Sequence, residues 1–466
     1  MRDSTRLLLA AIIAACSPLI ASRPAGAQQR PDSASRDSVE RRLERMQRQI
    51  DSLRLASDRQ TQRIMELDER GAAAAAGAPS VAAGGDTTRR KPASIQGIYG
   101  KPFVKRFGSG TAIGGYVDME YKNDIDGHTS TFDQHRLIPF IFSEITDRLH
   151  FGTEIEFEHA PSIEAEDGKA EGAGEVRVEF ATLDYRFREA LNLRGGMILS
   201  PLGRFNLVHD SPVNDLTERP LVDRYIIPTT LSQTGAGFFG TLYPTDRSLV
   251  TYEAYLVNGF SNAIVGDEGV VLRDGTGFSE NDNNFAKSVV GRVALSPFLG
   301  LEIGVSGTTG KYATKTEAPA VPLPETLIFT GDERLSIGAL DATFSRGPLE
   351  LLGEYGRVRI DVPKPSGLVA APRDGYYAQA NYHFGHGLLV PRATSTFTGV
   401  VRWDRVNMSG AEGFDARERL TLGVNWRPVE DAVLKTDFLW NWDTTAGAAE
   451  RGPVDRQFRI SLASYF

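Results

Sequence analysis

From about Ile95 to the end, apolar and polar residues alternate one by one in short runs, punctuated by Gly, Pro, Asn and Asp. Leu149, Phe151, Ile155 and Phe157 share one face of such a run, opposite Gly152, Glu154, Glu156 and Glu158. Leu299, Leu301, Ile303 and Val305 oppose Gly300, Glu302, Gly304 and Ser306. Leu420, Leu422, Val424 and Trp426 oppose Arg419, Thr421, Gly423 and Asn425, and Leu434, Phe438, Trp440 and Trp442 oppose Lys435 and Asp437. A period of two predicts strands with one apolar and one polar face. The chain ends on the same pattern: Phe458, Ile460, Leu462 and Phe466 fall on one side, with Gln457, Arg459, Ser461 and Ala463 on the other. Taken alone, this alternation suits a soluble sheet as well as a barrel between lipid and a wet lumen.

The N-terminus decides between them. Met1–Ala27 has Arg2 and Arg6 near its start, an apolar run Leu7–Ala15, and the small residues Ala25-Gly26-Ala27 before Gln28, the layout of a secretory signal peptide. The run is too short to span a bilayer as a helix. A competing reading takes Ile13-Ala-Ala-Cys16 as a lipoprotein box that leaves Cys16 lipidated; the later site is favoured, because a barrel is already anchored. Cys16 is the sole cysteine, so cleavage after Ala27 removes any disulfide or thiolate metal site. Export without a later membrane helix predicts an all-β transmembrane antiparallel barrel in a bacterial outer membrane.

Residues 28–70 carry a different period. Val39, Leu43, Met46, Ile50, Leu53, Ile64 and Leu67 follow a heptad seam broken at Ser57 and Gln60, flanked by charged residues. At roughly 1.5 Å per residue the seam spans about 43 Å, and it predicts a periplasmic coiled-coil arm, in dimer or trimer, or a frayed arm that associates with nothing. Residues 71–94 are rich in Ala and Gly, a flexible linker before the barrel domain at 95–466.

Tight turns are expected at Ser296-Pro297-Phe298 and Arg427–Asp431, and long polar loops at Gly259–Asn284, Thr308–Glu333 and Ile360–Asp374. About 370 residues at roughly 23 per strand make about sixteen strands, enough to enclose an aqueous channel. Tyr376, Tyr382, Trp403, Trp426, Trp440, Trp442, Tyr465 and Phe466 sit near strand ends, as interfacial girdles require. Phe458, Ile460, Leu462, Tyr465 and Phe466 form a C-terminal assembly signal for the barrel-assembly machinery.

Short motifs in order along the chain resemble the phosphate-selective porin O and P family. They are Leu191–Gly203, Thr217-Glu-Arg-Pro220 with Arg224, Gly235–Gly240, Tyr255–Gly259, Gly291–Pro297 and Leu422–Pro428. The resemblance covers about Gly97 to Phe466 and implies a sixteen-stranded trimeric porin. It also places Arg204, Arg219 and Arg224 in a turn and inward loop.

Charge only partly supports an anion pore. The net charge is −8 and there are ten lysines, without a cluster. By strand parity Arg194, Arg292 and Arg402 point inward, but so do Glu154, Glu156, Glu158, Glu175, Glu179 and Glu302. Opposed charges orient polar solutes without strongly preferring one sign, and each arginine serves selectivity or merely pairs with a wall carboxylate. The expected function is passive diffusion of small polar or anionic solutes, with phosphate one candidate. The alternatives are a closed barrel tethering the outer membrane to peptidoglycan through its arm, or a barrel hydrolase.

Other signals are weaker. His209-Asp210 suggests part of a hydrolase dyad but lacks a second acidic pair. His383 and His386 fall on opposite faces of a strand. Gly266-Asp-Glu-Gly269 and Asn281-Asp-Asn-Asn284 lack calcium-loop spacing. No cofactor, metal, nucleic-acid or enzymatic role is expected.

Overall fold

The computed structural model describes residues 105–466 apart from 108–109, 161–163, 167–168, 172–173, 267–268, 277–281, 283–285, 319–326, 364–372, 391–394, 409–413, 446 and 449. The signal, the heptad seam and the linker lie outside the described residues.

Among the described residues sixteen antiparallel strands close a ring. In chain order they are β1 (Thr111–Asp124), β2 (Thr129–Glu144), β3 (Leu149–Glu158), β4 (Glu175–Arg188), β5 (Leu191–Leu199) and β6 (Ser232–Thr245). Next come β7 (Ser248–Val257), β8 (Ser288–Phe298), β9 (Leu301–Lys311), β10 (Arg334–Arg346) and β11 (Leu349–Ile360). The ring ends with β12 (Arg373–Phe384), β13 (Thr396–Asn407), β14 (Phe414–Val429), β15 (Ala432–Thr445) and β16 (Val454–Tyr465). Each strand pairs with its neighbour in sequence, and β16 returns to β1 with Tyr116 opposite Tyr465 and Asp124 opposite Gln457. A short strand, Lys105–Phe107, pairs with Thr111–Ile113 of β1, beyond where β16 ends. Closure leaves every spanning strand with two partners, which a hydrocarbon environment demands of a backbone.

The alternation read from sequence sorts as predicted on most strands. On β9, Ile303 and Val305 face out while Gly304, Ser306 and Thr308 are buried inside. On β16, Leu462 is exposed and Ser461, Ala463 and Tyr465 are buried. Met119, Leu137, Leu183, Phe238, Leu256, Val293, Leu340 and Val424 continue an exposed apolar surface round the ring. In water such a belt would be a large liability; against lipid tails it is the required solvent match. Stacked Phe384, Phe397 and Trp426 lie toward the end with the short turns. The pairs Trp403–Trp442 and Phe438–Trp440 lie farther along the wall.

From β3 to β12, two-residue turns at one end alternate with long connections at the other. The tight turns sit later than expected from sequence: β8 continues through Ser296-Pro297 to Phe298 with a register shift, so the turn is Leu299-Gly300. Likewise β14 runs on to Val429, and Glu430-Asp431 make the turn. Proline in a strand is tolerated where an irregularity leaves its missing N–H unneeded. Tyr465, grouped by sequence with the outward aromatics, turns into the lumen.

The inner face is less uniformly polar than alternation implies. Leu335, Ile337, Ala339, Val358, Tyr377 and Val406, on β10–β13, form a buried cluster with Leu202, Leu221, Val222, Ile226 and Ile227 from the β5–β6 connection. Phe260, Ile264, Leu272, Tyr312 and Phe329 from two further long connections join it. A second inward cluster places Tyr116, Ile138, Phe140, Phe142, Phe180 and Tyr465 against Leu199 and Leu207. These patches exist because loops fold back to cover them.

The seam between β1 and β16 has little room. Phe466 N–H donates to the Gly115 carbonyl at 2.9 Å. A Cβ on Gly115 would lie 2.4 Å from the Ile138 carbonyl oxygen and 2.6 Å from the Phe466 ring. Gly115→Val is therefore expected to cost about 1–3 kcal/mol by overpacking. The check is the fraction of chain with the folded, heat-modifiable mobility on electrophoresis, which should fall relative to wild type.

Candidate channel constriction

The connection Ser200–Leu231 between β5 and β6 folds into the lumen instead of standing above it. Asn206 closes its base: its Nδ2 donates to the carbonyls of Ser200 and Leu231 at 2.8 and 3.1 Å, and its Oδ1 accepts from Leu231 N–H at 2.8 Å. Gly203 follows with φ +71°, its N–H donating to Ser306 Oγ at 2.8 Å. A Cβ there would lie 2.0 Å from Glu354 Oε1, so glycine is required on both counts. Glu354 in turn accepts from the Arg204 and Phe205 N–H groups at 2.9 and 3.1 Å. Farther on, the loop makes the single α-helical turn among the described residues, α1 (Val222–Tyr225).

Wall side chains bolt the rest of the loop in place. Tyr465 Oη donates to Asp210 at 2.9 Å, and Lys435 Nζ donates to the Ser211 carbonyl at 3.0 Å. Arg427 reaches the Pro212 carbonyl at 2.7 Å, and Asn381 and Asn425 donate to Asp215 at 2.8 and 3.1 Å. Thr217 Oγ1 donates to Asp437 at 2.7 Å. Arg402 donates to the Glu218 carbonyl at 2.9 Å, and Leu221 N–H donates to Asp404 at 3.0 Å. Buried groups without partners cost about 1–3 kcal/mol each, so the loop and these wall residues depend on one another.

Between the loop and β1–β3 lies a cavity of about 430 Å³. Lys122, Arg136, Arg219, Arg224, Arg273 and Lys435 line it, against the carboxylates Glu120, Glu158 and Glu218. His135, His159 and His209 also reach it. Several of these cations bond to neutral carbonyls. Arg219 and Arg273 both donate to the Thr229 carbonyl, and Lys435 to that of Ser211. A carbonyl satisfies the hydrogen bonds without cancelling the charge, so the cavity stays basic in a chain of net charge −8.

Two loop groups register this field. Burial, then the guanidiniums of Arg136 and Arg273, holds Arg219 down to about 10. Burial raises Glu218, but Arg419, Arg459 and Arg224 outweigh it and bring its carboxyl to about 2. A carboxylate made more acidic despite its burial signals positive surroundings, whereas burial accounts first for the less basic guanidinium.

The candidate residues divide. Arg219 and Arg224 line the cavity, and Arg204 gives its backbone N–H to Glu354. Arg194 faces inward but pairs with Asp184 at 2.6 Å and reaches Glu253 at 3.5 Å. Arg292 lies between Asp341 and Glu302, and Arg402 pairs with Asp404 at 2.9 Å while holding the loop. Glu156 pairs with Arg136 at 3.0 Å, Glu154 is fully buried, and Glu302 is partly exposed beside Arg292. Outward, Leu462 and Phe466 are exposed, with Phe458 and Ile460 half-buried. Sequence reasoning passed over Arg273, which lies in a loop, and Lys122, Arg136 and Lys435, whose setting depends on the infolded loop.

His209 and Asp210 do not form a dyad. Glu179 at 3.1 Å and Thr230 Oγ1 at 3.3 Å both meet His209 Nε2, while Nδ1 faces the Asn206 carbonyl at 3.0 Å. A relay needs its acid and its nucleophile on opposite ring nitrogens. His383 Nδ1 lies 2.9 Å from Thr398 Oγ1. The two oxygen-rich loop motifs fall partly outside the described residues.

No protein-family profile matches the chain. An uncharacterized protein of Aquifex aeolicus is 44% identical over 151 residues, 32% of each chain, so the chain spans about a third of that relative's length. Among solved structures, outer-membrane expressed OmpT of Vibrio cholerae aligns over 78% of this chain and 100% of its own, at 13% identity and TM-score 0.48. The outer membrane channel DcaP of Acinetobacter baumannii aligns over 78% and 99%, at 10% identity and TM-score 0.48. An anion-selective porin from Comamonas acidovorans aligns over 76% and 99%, at 12% identity and TM-score 0.48. The porin-like architecture here stands on this chain's own strand ladder and infolded loop.

Arg402 and Asp404 are 2% and 0% exposed. Arg402→Met leaves a buried carboxylate without its cation and is expected to cost about 3–5 kcal/mol. Pairing it with Asp404→Asn, which keeps an acceptor for Leu221 N–H, should recover much of that loss in denaturant unfolding in detergent.

Proposed function

We propose that this chain is an outer-membrane channel through which small solutes diffuse passively, with anions favoured at the constriction. The observation that carries this reading is the excess of cationic side chains around the cavity, where the infolded loop narrows the lumen. Desolvated guanidiniums that are not charge-compensated lower the barrier for an anion and raise it for a cation. The resemblance of the loop motifs to the phosphate-selective porin O and P family supports the reading and makes phosphate one candidate solute. The export signal fits outer-membrane placement, with the heptad arm in the periplasm and a homotrimer as the assembly. The apolar C-terminal face fits delivery by the barrel-assembly machinery.

A second reading has its own support. Three long connections pack an apolar cluster over the inner face of β10–β13, filling that side of the lumen. If the polar side is also blocked, the barrel is closed and its arm tethers the membrane to peptidoglycan.

Single-channel recording separates the two. The channel reading expects discrete conductance steps in planar bilayers. Replacing Arg219 and Arg273 by Gln should lower conductance several-fold at about 0.1 M salt and little at about 1 M, where the Debye length is near 3 Å. Folded protein without steps would favour the closed barrel, and equal conductance of wild type and variant at low salt would remove the role of these arginines.

A further inference from the structure

Strands β1 and β2 slip once. Asp118 pairs with Arg136 and Glu120 with Asp133, so Met119 stands opposite both Gln134 and His135. An extra residue of this kind bends a strand and re-aims a side chain. Simple alternation would send His135 outward beside Leu137; the bulge brings it inside to Asp118 and Glu120. Gln134 holds the irregularity, its Nε2 donating to the carbonyls of Asp118 and Arg136 at 3.3 and 3.2 Å.

Each carboxylate has one oxygen engaged and turns the other toward the imidazole. Asp118 Oδ1 accepts from Ser461 Oγ at 2.6 Å, and its Oδ2 lies 3.4 Å from His135 Nδ1. Glu120 Oε2 lies 3.3 Å from Lys122 Nζ, and its Oε1 lies 2.9 Å from the same histidine nitrogen. The three ligand atoms lie within 4.8 Å of one another. Ligands about 2.0–2.1 Å from a tetrahedral ion stand about 3.3 Å apart, so two edges of the triangle already have the needed size. Ser461 and Lys122 orient the carboxylates as outer partners do in metal sites. Asp118 and Glu120 are 1% and 4% exposed, while Glu120 and His135 line the cavity, which leaves a fourth position open to solvent.

We propose that Asp118, Glu120 and His135 form a binding site for a divalent transition-metal ion, with Zn²⁺ the best match. One imidazole and two carboxylates suit Zn²⁺, whereas Mg²⁺ and Ca²⁺ favour all-oxygen shells of six or more ligands. Lys122 keeps Asp133 at 2.7 Å when Glu120 turns to the metal. The competing occupant is a proton on His135 Nδ1 shared with both carboxylates, which metal binding displaces. A metal held here would narrow the cavity and add positive charge. That consequence rests on the channel reading; metal binding itself does not.

The test is equilibrium dialysis of the untagged, folded full-length protein in detergent against Zn²⁺. Stoichiometric binding that Mg²⁺ does not displace is expected, weakened by about tenfold or more in His135→Ala and in the gentler His135→Gln. Heat-modifiable mobility shows that each variant has folded. Co²⁺ substitution should give the visible bands of a four-coordinate site in wild type alone. In bilayers, Zn²⁺ should change wild-type conductance, EDTA should reverse the change, and the histidine variants should not respond. Absent or histidine-independent Zn²⁺ binding overturns the proposal. Histidine-dependent binding by a barrel that never conducts upholds the metal site while the channel reading falls.

Discussion

Buried hydrogen bonds and ion pairs between the barrel wall and the loop Ser200–Leu231 are the constraint on which the rest of this structure depends. A closed ring of sixteen strands encloses more space than its own side chains fill, and what occupies that space sets the properties of the lumen. Here Lys435, Arg402, Asp404, Asp437, Glu354 and Arg427 hold the loop through its backbone. Without the loop these charges would face one another across a wet lumen. Without them, the loop's polar backbone would have no reason to leave bulk water.

The same contacts explain how an acidic chain comes to hold a basic cavity. Where wall arginines meet wall carboxylates, as Arg194 meets Asp184 and Arg292 meets Asp341, their charges cancel locally. Where loop arginines meet a loop carbonyl, as Arg219 and Arg273 meet that of Thr229, the charge survives. The loop therefore shapes the passage and also selects which cations remain uncompensated beside it. Long-range net charge contributes little at such distances in salt, so on the proposed channel reading the local arrangement sets the field that an ion meets.

Much of the barrel was legible from residue order. Strict alternation in Leu301–Ser306 and Leu420–Trp426 marked strands and sorted their faces, because a lipid-facing wall tolerates few exceptions outward. Inward exceptions were another matter. Ile337 and Val358 look like ordinary strand residues, and only the infolded loop shows why apolar side chains face the lumen. Parity assigned Arg194 and Arg292 to the inner face but was silent on their partners across neighbouring strands. Simple alternation is also no guide at His135, since one extra residue in β2 changes which side chains turn inward. Arg219 and Arg224 came from motif resemblance, whereas Arg273, in an irregular loop without periodicity, had no sequence signal.

On the proposed channel reading, a basic constriction held by the infolded loop governs which ions pass. The most direct measurement is the zero-current potential of the purified full-length protein across a tenfold KCl gradient. The expected potential has the sign of chloride crossing more readily than potassium. A potential near zero, or one of cation-selective sign, would contradict it.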